Sequence, residues 1–395
     1  MEEATGTQLG EVWGNMKLPS KLQIVEEIVA IEKKFLSLSF AHYGNLYIAS
    51  DAFPGCVEVR VVGEVPELLK QEVATRFVIG PVADREFWHK ERATMSVDRG
   101  PWEQLSEYLH AIRKREIDWL SRHAVSKPRG GLLAQSEAQR TPAAHIALYE
   151  KFLKVSDTLL PTGALAKPTL WHWDIHAPNI FVHEDLVTSL IDWQDVWIGP
   201  LFLQARQPRL ARYTGEMLLR LPGTYESLTD QDERAKLRSQ VQSSVVAYIY
   251  DDETKTANPM LDKVMQLPQW RTRRDAVDFS SNTWDGDIIP FRQCLIWIVR
   301  HWKEIEADMP CPIKFTDEEI QEHYRDGGRW NDIADFWDSL EGLVNRDGWT
   351  SNETYEQARE IFAQLREQGL LSLGGEERDE FEKGTRWAEQ RTERD

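Results

Sequence analysis

One stretch of this 395-residue chain limits what it can fold into more than any other. It reads Leu170-Trp-His-Trp-Asp-Ile-His-Ala-Pro-Asn-Ile-Phe-Val182, and Ser189-Leu-Ile-Asp-Trp193 follows shortly after. His172, Asp174, Asn179 and Asp192 stand in it at fixed offsets among short apolar runs. Residues 180–182 and 188–191 predict two strands around a polar turn at His183-Glu-Asp185. An antiparallel hairpin brings the residue before one strand beside the residue after the other. Asn179 and Asp192 flank the turn symmetrically and are expected opposite each other. A carboxylate and an amide oxygen on neighbouring backbone ends suit Mg2+ when substrate phosphates complete its shell.

The interval from Asp174 to Asn179 is that of the protein-kinase catalytic loop, where the Asp takes a hydroxyl proton and the Asn meets the metal. Asp174 is therefore the candidate general base, with Asn179 and Asp192 the candidate Mg2+ ligands. His172 reads as a brace for the loop. A zinc site built from His172, Asp174 and His176 lacks the usual ligand spacing. His176 itself is open between bonding a neighbouring carboxylate and lining the pocket.

The block resembles the aminoglycoside phosphotransferase and choline kinase branch of the protein-kinase-like fold, which reads H-G-D-x-x-x-x-N-I-L-V and then I-D-W-E. Here the matching residues are His172-Trp-Asp174, Asn179-Ile-Phe-Val182 and Ile191-Asp-Trp-Gln194. Gly80-Pro-Val-Ala-Asp-Arg-Glu-Phe-Trp88, Leu201-Phe-Leu-Gln-Ala-Arg206, Asn282-Thr-Trp-Asp285 and Arg346-Asp-Gly-Trp349 are most similar to fungal proteins of the altered-inheritance-of-mitochondria type. The resemblance implies an α+β class: a large C-terminal lobe, mostly helical with short β-hairpins. It also implies ATP and Mg2+ as cofactors and transfer of a phosphoryl group to a hydroxyl of a small molecule. The family's name implies a mitochondrial setting, while the visible sequence, with its acidic first residues, reads as cytoplasmic. Two departures stand out. Trp173 replaces the usual glycine, so its side chain must point out of the loop or into an aromatic cluster. Gln194 replaces a frequent acid.

A kinase-like fold also needs a glycine-rich loop and a strand lysine. Residues 1–170 offer neither: Gly6, Gly10 and Gly14 are evenly spaced, and Lys33 and Lys34 lie in a helical pattern. Met1–Leu9 instead resembles the family's hinge, M-E-x-x-x-G-x-x-L. The resemblance thus implies a hinge at 1–15, with backbone at Met1, Glu2, Glu3 and Ala4 meeting the adenine edge. A large lobe follows at 16–370 with an insertion at about 40–100, then a charged, poorly ordered tail at 371–395, and a small lobe is expected upstream. Two functions compete: a phosphotransferase impaired by the missing lobe, and a catalytically silent binding module that keeps the pocket.

Composition narrows the partners. Lys and Arg number 47 against 65 Asp and Glu, a net charge of −18, and no basic stripe is visible, which argues against nucleic acid. An acidic chain suits a cationic acceptor. Among 16 tryptophans, Trp171, Trp173, Trp193 and Trp197 crowd the motif. They read either as a cation–π box for an ammonium group or as packing around the loop. No apolar run approaches the roughly 18 residues of a membrane span. Arg273-Arg274 is too small for a phosphate-binding patch without partners, and Asp285-Gly-Asp287 reads as a helix cap rather than a metal turn. Helices are expected at 19–38 (face Leu22, Val25, Ile28, Ile31, Phe35), 102–123, 142–159, from Thr229 (face Leu237, Val241, Val245, Ile249), 287–306 and 352–368. A capping box is expected at Thr316 and Glu319, a hairpin at 44–62 around Phe53-Pro-Gly55, and turns at Arg325-Asp-Gly327 and Arg346-Asp-Gly348.

Overall fold

The computed structural model describes residues 3–127, 136–339 and 354–386. Strand β1 (Thr7–Gln8) precedes a long helix, α1 (Leu18–Ser37). Five short strands follow: β2 (Ser39–Phe40), β3 (Asn45–Ile48), β4 (Val57–Glu58), β5 (Val61–Val62) and, after helix α2 (Glu67–Arg76), β6 (Phe77–Gly80). Helices α3 (Leu105–His123) and α4 (Pro142–Leu159) lead to β7 (Pro168–Leu170), β8 (Ile180–His183), β9 (Leu186–Leu190) and β10 (Ile198–Pro200). Beyond them lie helices α5 (Gln231–Ala257), α6 (Pro259–Met265), α7 (Trp270–Phe279), α8 (Ile288–Arg300), α9 (Asp317–Ser339), α10 (Tyr355–Ser372) and α11 (Gly375–Gly384). The class is α+β, and every strand pairing among the described residues is antiparallel. No helix among those residues is long and apolar enough to cross a membrane.

The chain divides into two compact units. The first comprises Met1–Arg115, Ser156–Val277 and Lys303–Glu306; the second comprises Glu116–Val155, Asp278–Trp302 and Ala307–Asp395. In the first unit α1 is the scaffold. Its residues Ile24 and Ile28 pack under Ile175, Ile180 and Val182, the apolar side of the segment that carries Asp174 and Asn179. One position further round the helix, Val25 and Val29 pack on Val246 and Tyr250 of α5 and on Ala211. The buried face therefore differs from the expected one. It centres on Ile24, Val25, Ile28 and Val29 and takes in the polar Lys21 and Glu32, while Leu22, Ile31 and Phe35 sit at its margin. α5 shows the same shift: Asp230 caps it, and Ser244, Val246, Ala247, Tyr250 and Thr254 are buried.

The hairpin expected at 44–62 is not formed. β3 and β4 share a sheet, but β6 lies between them and hydrogen-bonds to both, in the order β3-β6-β4. β6 is the most apolar of the three, and Ile79 is fully buried, so it takes the centre. A Cβ on Gly80 would stand 2.8 Å from both Cys56 Sγ and Tyr47, so this close strand packing needs glycine.

In the second unit, Asp287 caps α8 by accepting from the Ile289 N–H at 2.7 Å, the cap expected there. The capping box before α9 is complete: Thr316 Oγ1 accepts from Glu319 N–H, and Glu319 accepts from Thr316 N–H at 2.8 Å. Arg325-Asp-Gly327 is not a turn. It lies inside α9, where Asp326 pairs with Arg292 of α8 at 3.7 Å. Arg346-Asp-Gly348 lies outside the described residues. The charged segment after residue 370 holds α11, tied back where the Arg366 guanidinium donates to Thr385 Oγ1 at 3.2 Å.

Candidate active site

β8 and β9 form the hairpin that carries the site. Glu184 and Asp185 turn it with positive φ, and Ser20 of α1 holds the Asp185 carboxylate at 2.5 Å. Glu27 of α1 accepts from the Val187 N–H, so one helix grips both the turn and the strand after it. β1 adds a third strand on β8. Here Gly6 has φ +103°, and a Cβ would meet the Val182 carbonyl oxygen at 2.5 Å. Thr5 accepts from the Thr188 hydroxyl and Gln8 Nε2 donates to the Pro178 carbonyl at 2.7 Å, so the chain just after Ala4 borders this hairpin. Met1 and Glu2 lie outside the described residues.

The register differs from the expected one by a residue. A bulge between Phe181 and Val182 leaves Ile180 opposite Leu190. Asn179 consequently faces Ile191, whose N–H donates to the Asn179 carbonyl at 3.0 Å, and Asp192 is the next residue along. At the other end of the same residue, His172 Nε2 donates to the Ile191 carbonyl at 2.9 Å. His172 is buried and stacks edge-on against Trp193, with ring centroids 5.0 Å apart. Ile191 is thus clamped at both ends, and the chain leaves the clamp through Asp192 with φ +60°, a conformation that Asp tolerates better than most residues. The Asp192 carboxylate is exposed and has no hydrogen bond or ion pair among the described residues.

Asp174 has two differently employed oxygens. Oδ2 accepts from Asn179 Nδ2 at 3.3 Å, and the same amide nitrogen donates to the Asp174 carbonyl at 3.1 Å. Oδ1 faces His176 Nδ1 at 3.4 Å and the Arg209 guanidinium at 3.6 Å. His176 Nδ1 donates its hydrogen bond to the Asp174 backbone carbonyl at 3.0 Å, so the carboxylate is its neighbour and not its hydrogen-bond partner. The Asn179 amide fits a cation for a simple reason: its NH2 end is committed to Asp174, so its oxygen is the end left for a ligand.

The tryptophans do not gather into one box. Trp171 and Trp193 pack edge-on against Phe35, and Trp197 tilts against Tyr108. Trp173 is half-buried with the Arg206 guanidinium 5.7 Å above its ring, so a cation already occupies that face. Packing is their main work.

The sequence reading missed a group of arginines. A cleft of about 120 Å³ beside Asp174 is lined by Trp173, Arg206, Arg209 and Arg212, among others. Arg212 and Gln207 also border a larger cavity of about 1090 Å³, whose lining includes Arg271 and Arg274. Burial, then the positive charges of Arg274, Arg209, Arg271 and Arg206, lower the pKa of Arg212. Arg-x-x-Arg-x-x-Arg over 206–212 was legible as a pattern; Arg274 lies near it with its guanidinium held by the Asp275 carboxylate at 2.7 and 3.1 Å. Arg273 is different: it is buried and donates to the carbonyls of Leu159 and Ile305, both at 3.3 Å.

Residues 77–203, which hold Asp174, Asn179 and Asp192, match the phosphotransferase enzyme family. A subtelomeric hrmA-associated cluster protein of Aspergillus fumigatus is 26% identical, over 93% of this chain and 77% of that protein. The mitochondrial protein "altered inheritance of mitochondria protein 9" of Yarrowia lipolytica is 24% identical, over 84% of this chain and 57% of that protein. The protein of that name in Zygosaccharomyces rouxii is 24% identical, over 84% of this chain and 56% of that protein. No solved structure matches the chain.

Proposed function

From a chain that carries a phosphotransferase-family domain, we propose a protein that moves a phosphoryl group from ATP to a hydroxyl of a small molecule. One observation carries the reading: Asn179 joins Asp174 through its side chain and the strand leading to Asp192 through its backbone, so base and ligands share one hydrogen-bonded frame. Mg2+ and ATP supply, when bound, an electrophilic phosphorus and the neutralisation of phosphate charge. Asn179 Oδ1 and the Asp192 carboxylate are the proposed metal ligands, and backbone around Glu3 and Ala4 the proposed adenine edge. The hinge role of 1–15 belongs to the same proposal. Asp174 takes the proton of the acceptor hydroxyl, and Asn179 fixes its orientation. His172 holds Ile191, and through it the departure point of Asp192. The names of the Yarrowia lipolytica and Zygosaccharomyces rouxii relatives support a mitochondrial location.

The test is ATP turnover by the intact chain and by Asp174→Asn. General-base removal costs about 10²- to 10⁴-fold in rate, and a fold-neutral variant in that range is expected. Turnover unchanged in Asp174→Asn overturns the base assignment. A wild-type chain that binds Mg-ATP without turning it over favours the binding-module reading.

A further inference from the structure

Positive charge is concentrated on one side of Asp174. The whole chain carries a net charge of −18, yet the small cleft beside Asp174 sets three guanidiniums against that one carboxylate. The arginines converge from a single segment. Ala211, buried against Val25, Val29 and Tyr250, anchors it, and Arg209 and Arg212 project from either side of that anchor. Arg271 and Arg274 reach the same neighbourhood from α7.

Their position relative to the reacting carboxylate decides whose charge they meet. Oδ2 of Asp174 is turned to Asn179, the metal side, whereas Oδ1 is turned to Arg209 and the cleft. Neither Asn179 nor Asp192 lines that cleft. The arginines therefore stand across Asp174 from the proposed metal, where the acceptor must approach. A cleft of about 120 Å³ equals roughly four water volumes, room for one oxyanion group. The larger cavity shares Arg212 and Gln207 and offers space for the remainder of a molecule. Its lining mixes Asp251, Asp252 and Asp262 with Lys255, Arg271 and Arg274, so the concentrated positive charge is at the Asp174 end. Guanidinium groups match the planar geometry of carboxylate and phosphate oxygens.

We propose that the acceptor is a hydroxyl compound bearing a phosphate or carboxylate group, held by Arg206, Arg209 and Arg212 with its hydroxyl at Asp174. This rests on the phosphotransferase reading and replaces the cationic acceptor that the overall charge suggested. In the transfer from Mg-ATP, the acceptor oxygen forms the new bond to the γ-phosphorus, its proton passes to Asp174, and ADP leaves with the electrons of the broken bond.

The anion site is tested without turnover. Inorganic phosphate and acetate are each titrated calorimetrically into the full chain, into Arg212→Gln and into Arg209→Gln/Arg212→Gln, with Mg-ADP as a separate titrant. At least one anion is expected to bind, more weakly as salt rises, with its Kd raised tenfold or more in the double variant and the Mg-ADP Kd changed less than twofold. The tighter anion names the group. Equal weakening of Mg-ADP would assign the arginines to the nucleotide and overturn the proposal, as would anion binding indifferent to both substitutions or no anion binding at all. Arginine-dependent anion binding in a chain that never turns over ATP would leave the anion cleft standing and sink the phosphotransferase reading instead.

Discussion

The amide of Asn179 has two chemically distinct ends, and the loop that carries Asp174 uses only one of them. Nδ2 is spent on Asp174, at 3.1 Å to its carbonyl and 3.3 Å to Oδ2. Asn179→Asp tests whether this matters. The substitution offers a metal more charge, but it replaces the donor with a carboxylate facing another carboxylate at the same distance. Like charges so close repel, and Asp174 would lose the bond that orients it. ATP turnover is expected to fall about 100-fold or more, the range for a mispositioned base. A variant as active as the parent, with a lower Mg2+ requirement, would show that the metal and not the orientation of Asp174 is what Asn179 provides. Asp192→Asn removes charge without disturbing the Ile191 clamp. It should raise the half-saturating Mg2+ concentration while leaving thermal stability close to that of the parent, and an unchanged Mg2+ dependence would remove Asp192 from the ligand set.

The helix α1 supports the hairpin on one side and α5 on the other, and it does so with a buried acid. Glu32 is fully buried and accepts from the Tyr250 hydroxyl at 3.0 and 3.1 Å, and its burial raises its pKa to about 8. A carboxyl whose folded pKa is raised holds its proton in the native state where the unfolded chain has lost it. Its contribution is complete below the unfolded value near 4.5 and declines by about 1.4 kcal/mol per pH unit up to about 8. Glu32→Gln keeps the shape and an acceptor for Tyr250 without the titration. It should gain on the parent in denaturant midpoint as pH rises from 5 to 8. Parallel pH curves for the two proteins would mean that Glu32 is solvated in solution. Gly6→Ala probes the opposite edge of the hairpin. With φ +103° and a carbonyl oxygen 2.5 Å from the new methyl group, a loss of about 1–3 kcal/mol is expected by chemical denaturation.

These two elements also show what the sequence displayed and what it concealed. The existence of α1, α3, α4 and α8 was written in their apolar periodicity and caps, and local rules suffice for that. The buried faces of α1 and α5 were misplaced because hydropathy counts Lys21, Glu32 and Ser244 as outward, while Gln242, Tyr250 and the Leu218 N–H satisfy them inside. β3 and β4 looked like a hairpin because they are neighbours in sequence, and nothing local announces that Phe77–Gly80 will come between them. That residues 180–190 form a hairpin was legible; its register was not, since a bulge at Phe181 has no signature in its own side chains. The arginines escaped because their meaning is the distance to Asp174, a property of the fold and not of the pattern Arg-x-x-Arg-x-x-Arg.

The two compact units should answer to pH in opposite directions. In the second unit His145 is buried, with Nε2 donating to the Gln139 carbonyl at 3.2 Å and Nδ1 accepting from the Thr283 hydroxyl at 2.7 Å. Burial lowers its pKa to about 4, and burial with the charges of Arg292 and Arg300 does the same to His323. A histidine with a depressed folded pKa stays neutral in the native state where the unfolded chain takes up a proton. The stability this represents is complete above pH 6.5 and is lost as pH falls towards 4, for each residue at about 1.4 kcal/mol per unit. Net charge alone predicts the reverse, because acidification relieves the self-repulsion of a chain at −18. Asp287, its pKa raised by burial in the same unit, opposes the histidines. The specific term should prevail over the diffuse one, since buried groups are screened far less than exposed charges. Hydrogen exchange resolves the units separately. Segments 145–155 and 288–300 should lose protection, after correction for intrinsic rate, between pH 7 and pH 5. Segments 24–32 and 246–254, which surround Glu32, should gain it over the same interval. Protection rising in segments 145–155 and 288–300 on acidification would mean that surface repulsion, not the buried imidazoles, governs the second unit.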